Sequence, residues 1–136
     1  MRHYKSAKQA VHEWAGGLYA GALAEEGCDV GQPERGKTRP YATQRSSEYD
    51  WGTKNSKGSR IHVTVRVRAD REREADRLAA MALEEMTAPG RPDPPSPLYI
   101  AGQELEHIET VEHPKERGRS YFTARTAIDF YVGRTD

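Results

Sequence analysis

The chain has 136 residues, of which 35% are hydrophobic and 31% are charged. This length accommodates one domain with one modest core and is too short for two. Lysine and arginine together number 21, as do aspartate and glutamate, so the formal net charge is zero. That balance argues against a dedicated nucleic-acid binder, which usually carries net positive charge, and it leaves little repulsion between copies of the chain.

Cysteine usage and the N-terminal sequence bear on where the protein is made. The chain has a single cysteine, Cys28, which can form neither an internal disulfide nor a multi-thiolate metal site. Residues 1–8 are polar, and no apolar segment typical of a signal peptide follows them. No stretch approaches the roughly 20 apolar residues of a membrane-spanning helix. We therefore expect a soluble protein that is assembled in the cytosol.

The first third of the chain predicts a helix followed by a loop. Apolar residues at helical spacing indicate a helix from Ser6 to about Glu26, which Gly16 and Gly17 either kink or divide in two. Gly27 is the predicted stop of this helix. Residues 29–38 are rich in glycine, proline and charge, which is typical of a loop.

Two strands and a second helix are predicted next. Pro40–Tyr49 indicates a modest strand with Tyr41 and Thr43 on one face, and the turn-forming residues 50–58 indicate a loop. Residues 61–68 then alternate strictly between apolar and polar side chains, which predicts a strand with one buried face. Asp70 is a candidate N-cap for an amphipathic helix that ends near Thr87.

The last third predicts a β-hairpin. Residues 88–97 contain five prolines and form an extended connection. In Leu98–Val111 the apolar spacing changes from two to three after Leu105, which indicates a strand with a β-bulge. The charged segment 112–119 is the predicted turn, and alternation over 122–132 gives the final strand.

This order of elements predicts an α+β fold in a single domain covering residues 1–136. We expect a small antiparallel or mixed β-sheet of about four strands, with two main helices packed on one face.

Carboxylates and histidines concentrate in Gln103–His113 and include donors suited to a divalent metal. Strand alternation would place Glu104 and Glu106 on one face and His107 and Glu109 on the other. No three donors would then converge without help from another element. We therefore predict no metal site, no catalytic residues and no cofactor.

His62 lies on the polar face of the clearest strand and could act as a general base opposite a nucleophile. The hydroxyls of Ser59 and Thr64 are candidates, but such residues are too common to indicate catalysis. A catalytic triad also requires spatial proximity that spacing cannot show. An ordinary surface histidine is the favoured interpretation.

Two arginines and one tryptophan are the remaining candidates for binding. Arg66 and Arg68 project from the same polar face, whereas acidic residues interleave with the basic residues that follow them. This pattern favours salt-bridged surface, and the alternative is that the two arginines line a passage for DNA. Trp51, in the loop 50–58, either packs on its own domain or anchors an interface.

From Pro40 to the C-terminus the chain resembles the tail-terminator, or tail-completion, family of long-tailed phages and gene transfer agents. The resemblance depends on the order of several short features. These are the strand at Pro40-Tyr41, the run Asp50-Trp51-Gly52-Thr53-Lys54, Gly58, the alternating strand Ile61–Val67, a helix opening in Arg, Glu and Ala at Arg71–Met86, a proline-rich loop, Ala101-Gly102-Gln103, a charged hairpin and a final strand containing Arg125–Phe130.

The resemblance implies a structural virion protein. Such proteins form a homohexameric ring on the head-proximal end of the tail tube, where they stop tube polymerisation and provide the head-tail joining surface. The implied partners are other copies of the chain, the major tail tube protein and the head-tail connector or stopper, with DNA only passing through the ring. No cofactor or membrane is involved.

Because a closed ring needs two different contact patches on each subunit, we predict subunit or tube contacts in two polar loops. The candidate contact residues are Trp51, Lys54, Lys57, Arg117 and Arg119. The candidate lumen-facing residues are Arg66 and Arg68.

Three alternatives stay open. The first is another neck, connector or minor tail component, although a head-completion stopper is expected to be a small β-barrel without two flanking helices. The second is a small metal-dependent nuclease that uses the 103–113 cluster, which would lose activity without Glu106 or His107. The third is a DNA-binding module that uses Arg60, Arg66 and Arg68.

Overall fold

The computed structural model describes residues 6–31, 40–51, 58–114 and 120–135. It has the α+β composition that the sequence predicts. The elements in chain order are α1 (Ala7–Glu25), β1 (Asp29–Val30), β2 (Tyr41–Trp51), β3 (Gly58–Ala69), α2 (Glu72–Thr87), β4 (Leu98–Pro114) and β5 (Ser120–Arg134).

The strands form one mixed sheet in the order β1-β2-β3-β5-β4. This is more strands than the four or so that we expected. The additional strand is β1, which pairs parallel to the start of β2 and lies in a segment predicted to be a loop. The predicted loop 50–58 is also shorter, because β2 pairs with β3 as far as Trp51 opposite Gly58.

Helix α1 has the predicted bounds. The Ser6 hydroxyl accepts a hydrogen bond from the Gln9 backbone N–H at 3.1 Å, which caps the first turn. One uninterrupted helix passes through Gly16 and Gly17. Gly27 has a φ of 80°, a left-handed conformation that ends the helix at low steric cost.

Helix α2 begins later than predicted, and the N-cap prediction at Asp70 was wrong. Strand β3 stays paired with β5 through Ala69, so Asp70 lies in the turn and the extended residue Arg71 occupies the cap position. Arg71 makes no side-chain capping bond, but Glu72 and Glu74 place negative charge in the first turn, where the helix dipole favours it.

Both helices cover the same face of the sheet and also pack against each other. Helix α1 lies over β1, β2 and β3, and α2 lies over β3, β5 and β4. Ile61, Val63, Val65 and Val67 of β3 are fully buried against them, in one cluster with residues of both helices and of β5. No helix in the described ranges is both long and apolar enough to cross a membrane.

Strand β4 contains the predicted irregularity. Its register with β5 shifts between Ile100 and Gly102 and again between Glu106 and Glu109. The second shift brings Glu109 to the same face as Glu106, because both are opposite residues of β5 that point away from the helices. The predicted separation of Glu109 from Glu104 and Glu106 was therefore wrong: simple alternation does not continue through a bulge.

A buried polar link joins α1 to β2. The Tyr19 hydroxyl, on a side chain that is 1% exposed, donates to Gln44 Oε1 at 2.6 Å. Gln44 Nε2 in turn donates to the His12 carbonyl oxygen at 2.8 Å. A Cβ atom at Gly16 would lie 3.2 Å from Gln44 Oε1, so the helix approaches the strand closely at this point.

We predict that Gln44→Ala lowers the free energy of unfolding by about 1–3 kcal/mol, the typical cost of an unsatisfied buried polar group. The substitution leaves the Tyr19 hydroxyl without its acceptor. Urea unfolding measures the change, and Gln9→Ala on the exposed side of α1 is the matched control. A Gln44→Ala protein as stable as the wild type would contradict a structural role for this link.

Cys28 is buried immediately before β1, and we predict that its thiol is unreactive in the folded protein. Burial, together with the nearby charges of Asp29 and Glu74, raises the pKa of Cys28 to about 11. Because the thiolate is the reactive form, a disulfide reagent at pH 8 should label the folded chain slowly and the urea-unfolded chain quickly. Equally fast labelling of the two states would contradict this prediction.

Candidate functional site: the uncovered face of the sheet

One face of the sheet carries no helix within the described residues, and we call it the uncovered face. It consists of alternate residues from four strands, in register across β2, β3, β5 and β4. The described charged side chains on these four strands are Arg45, Arg60, Arg66, Arg68, Arg125, Glu104, Glu106, Glu109 and Asp129, and Asp29 of β1 lies on the same face opposite Tyr41. The arginines concentrate on β3 and its neighbours, and the glutamates lie on β4.

Tyrosines hold two of these arginines in place. The Arg68 guanidinium lies 3.7 Å from the centre of the Tyr121 ring and donates a hydrogen bond of 3.0 Å to the Tyr41 hydroxyl. The Arg60 guanidinium lies 4.9 Å from the centre of the Tyr49 ring. Stacking of this kind stabilises the cation while leaving part of its surface available.

Arg66 differs from Arg68 although both point from the uncovered face, as predicted. Arg66 is exposed and forms no hydrogen bond, ion pair or ring contact with another residue in the described ranges. Arg68 is partly buried between Tyr41 and Tyr121. Of the two predicted lumen-facing residues, Arg66 is therefore available to an external partner and Arg68 is largely committed within the chain.

The glutamates of the uncovered face contact side chains of β5. Arg125 lies 3.8 Å from a Glu106 carboxylate oxygen and 3.6 Å from a Glu109 carboxylate oxygen. Partial burial and a hydrogen bond to Glu104 raise the pKa of the Tyr131 hydroxyl. Because these contacts join exposed side chains, each of them adds little to the stability of the fold.

Three donor side chains meet at the centre of this face. His62 Nδ1 and Asp129 Oδ1 are 2.7 Å apart, and Glu106 joins them from β4. One ligand atom from each of the three residues lies within 4.8 Å of the others. The sequence prediction of no metal site considered donors within residues 103–113, of which only Glu106 belongs to this group; the other two donors come from β3 and β5.

The same histidine has no hydroxyl nucleophile bonded to it within the described residues. Ser47 lies directly across from His62 on β2, but no hydrogen bond joins them. Ser59, one of the two candidates from the sequence, points to the helix-covered side of β3, where it helps to line a pocket with Ala7. Thr64 is on the uncovered face but is likewise not bonded to His62.

Strand β4 forms one edge of the sheet and exposes apolar side chains. Leu105 is 56% exposed and Val111 is 46% exposed. No described strand pairs with the outer side of β4. A long, unpaired edge strand with exposed apolar residues is a ready surface for pairing with another chain.

The predicted contact loops cannot be placed in the same way. Lys54, Lys57, Arg117 and Arg119 lie outside the described residues. Trp51 ends β2, and its side chain is not among those described.

The different surroundings of Arg66 and Arg68 give a paired prediction. Arg68→Ala should lower the free energy of unfolding by about 1 kcal/mol, because it removes cation–π contacts and a hydrogen bond. Arg66→Ala should change it by less than about 0.5 kcal/mol, as is usual for a free surface residue. Urea unfolding of both variants tests the difference, and equal effects would contradict the assigned contacts.

No protein-family model matches the chain, and a search of curated proteins gives no significant match.

Proposed function

We propose that the protein is a structural subunit of a phage-like tail, a tail terminator that works as a ring of identical copies. In this role a homohexamer caps the head-proximal end of the tail tube, stops tube polymerisation and presents the joining surface for the head connector. The observation that carries the proposal is a sheet with both helices on one face and, among the described residues, no helix on the other. That arrangement suits a subunit whose other sheet face lines a central passage.

The two edges of the sheet suit the head-to-tail contacts of a ring. A cyclic assembly larger than a dimer uses two different patches on each subunit. One edge is β4, which is 17 residues long and exposes Leu105 and Val111. The opposite edge is the two-residue β1 beside β2, where the exposed Arg45 contrasts with the glutamates of β4.

The uncovered face suits the passage of DNA. Arg66 is free of partners in the described residues, while most of the other arginines are stacked or paired with neighbours. Glutamates on β4 offset much of the positive charge. A passage of this kind attracts phosphates weakly, so DNA can move through it without being held.

The fold favours a terminator over a head-completion stopper among virion components. A stopper is expected to be a small β-barrel, whereas this sheet is open and carries two helices on one face. Other neck or minor tail components fit the same features less specifically. Contacts through Trp51, Lys54, Lys57, Arg117 and Arg119 remain part of the proposal.

The first test is the mass of the purified protein by size exclusion with light scattering, alone and with tail-tube protein. A hexamer, or a monomer that forms rings only on tube ends, is the expected result. A monomer that does not bind tail tubes and binds DNA with a steep dependence on salt concentration would instead indicate a DNA-binding module.

A variant pair tests the edge contact directly. Leu105→Asp with Val111→Asp should abolish ring formation, because two new charges would have to be buried between subunits. Arg73→Asp, on the exposed side of α2, should leave it intact. Circular dichroism establishes that both proteins are folded, and an unaffected ring in the double variant would exclude β4 as the contact.

A further inference from the structure

We propose that His62, Glu106 and Asp129 form a binding site for a divalent transition-metal ion, with Zn²⁺ the preferred occupant. The site requires only one chain, and it does not depend on the proposed ring. An imidazole and two carboxylates are ligands that zinc accepts, and three protein ligands leave further positions for water.

The strand pairing explains how the three donors converge. His62 on β3 and Asp129 on β5 are directly opposite each other. Glu106 on β4 is opposite Ala127, two residues before Asp129 on the same face. Ala127 is 1% exposed although it points away from the helices, so larger neighbouring side chains cover it. A small residue at this position gives the donors room to meet above the sheet.

The distances are close to those of a bound ion. Zinc–nitrogen and zinc–oxygen bonds are about 2.0–2.2 Å, so two ligands of one ion stand about 3–4 Å apart. The donor atoms already lie within 4.8 Å of one another, so a small rotation of the exposed Glu106 would bring it into range, while the His62–Asp129 pair, 2.7 Å apart, would open slightly. The site is therefore nearly assembled before an ion arrives.

The short His62–Asp129 contact requires a proton or a metal ion between the nitrogen and the oxygen. A nitrogen and a carboxylate oxygen 2.7 Å apart would repel through their lone pairs unless a proton lies between them. In the metal-free protein, Nδ1–H of His62 donates to Asp129. When the ion binds at Nδ1 it takes the place of that proton, and a neutral ring then carries its proton on Nε2.

Arg125 competes with the ion for Glu106. Its guanidinium lies 3.8 Å from a Glu106 oxygen and also faces Glu109. Glu104, which is opposite Asp129 on the same face, is near the three donors but is not one of them. Removing the charge of Arg125 should therefore strengthen binding of the ion, whereas removing the charge of Glu104 should have little effect on it.

Isothermal titration of the full-length protein with Zn²⁺ tests the proposal. We expect one ion per chain, and Co²⁺ in its place should give visible absorption bands from nitrogen and oxygen ligands. His62→Gln and Glu106→Gln should each weaken binding by at least about 10-fold, because removing even a hydrogen-bond partner of a ligand typically has an effect of that size.

Matched controls separate this site from nonspecific binding. Glu104→Gln removes the same charge from the same strand face, and His12→Gln removes a histidine on the opposite face; neither should weaken binding 10-fold. Arg125→Gln should tighten it by releasing Glu106. Absence of Zn²⁺ binding, or equal affinity in His62→Gln, Glu106→Gln and the wild type, would overturn the proposal.

Discussion

The packing of four β3 side chains against α1 and α2 determines which residues lie on the uncovered face of the sheet. These side chains are Ile61, Val63, Val65 and Val67. These side chains lie at the centre of the sheet and are fully buried. Because successive residues of a strand point in opposite directions, the intervening residues of β3 must lie on the other face. No described helix covers that side, and the intervening residues are polar or charged. The candidate functional side chains therefore lie on this face.

The pairing order then sorts this chemistry across the sheet. Strand β5 lies between β3 and β4, so its outward residues separate the arginines of β3 from the glutamates of β4. Arg125 on β5 pairs with the glutamates, and Asp129 on the same strand pairs with His62. Each of these contacts joins residues distant in sequence, and each is a consequence of register.

Local patterns in the sequence predicted most of the elements because each pattern arises within one segment. Alternation indicated β3, helical spacing and Gly27 bounded α1, and the changed spacing after Leu105 indicated the bulge in β4. The errors at Asp70 and Glu109 depend on where pairing ends and on how a bulge reorients the next residues. The His62, Glu106 and Asp129 cluster depends on pairing among three strands, which spacing along one chain does not specify. A systematic search of all outward strand positions for metal donors would have included these residues, but also many others.

The proposed ring and the proposed metal site both depend on the net charge of the uncovered face. The described side chains of the uncovered face include five arginines and, with Asp29 of β1, five carboxylates, so their formal charges balance. A divalent ion held by Glu106 and Asp129 would cancel two of those carboxylate charges and make the face distinctly positive. If that face lines a passage in a hexamer, every subunit contributes the same increment. Metal occupancy would then strengthen the attraction between the passage and DNA without altering the edges that close the ring.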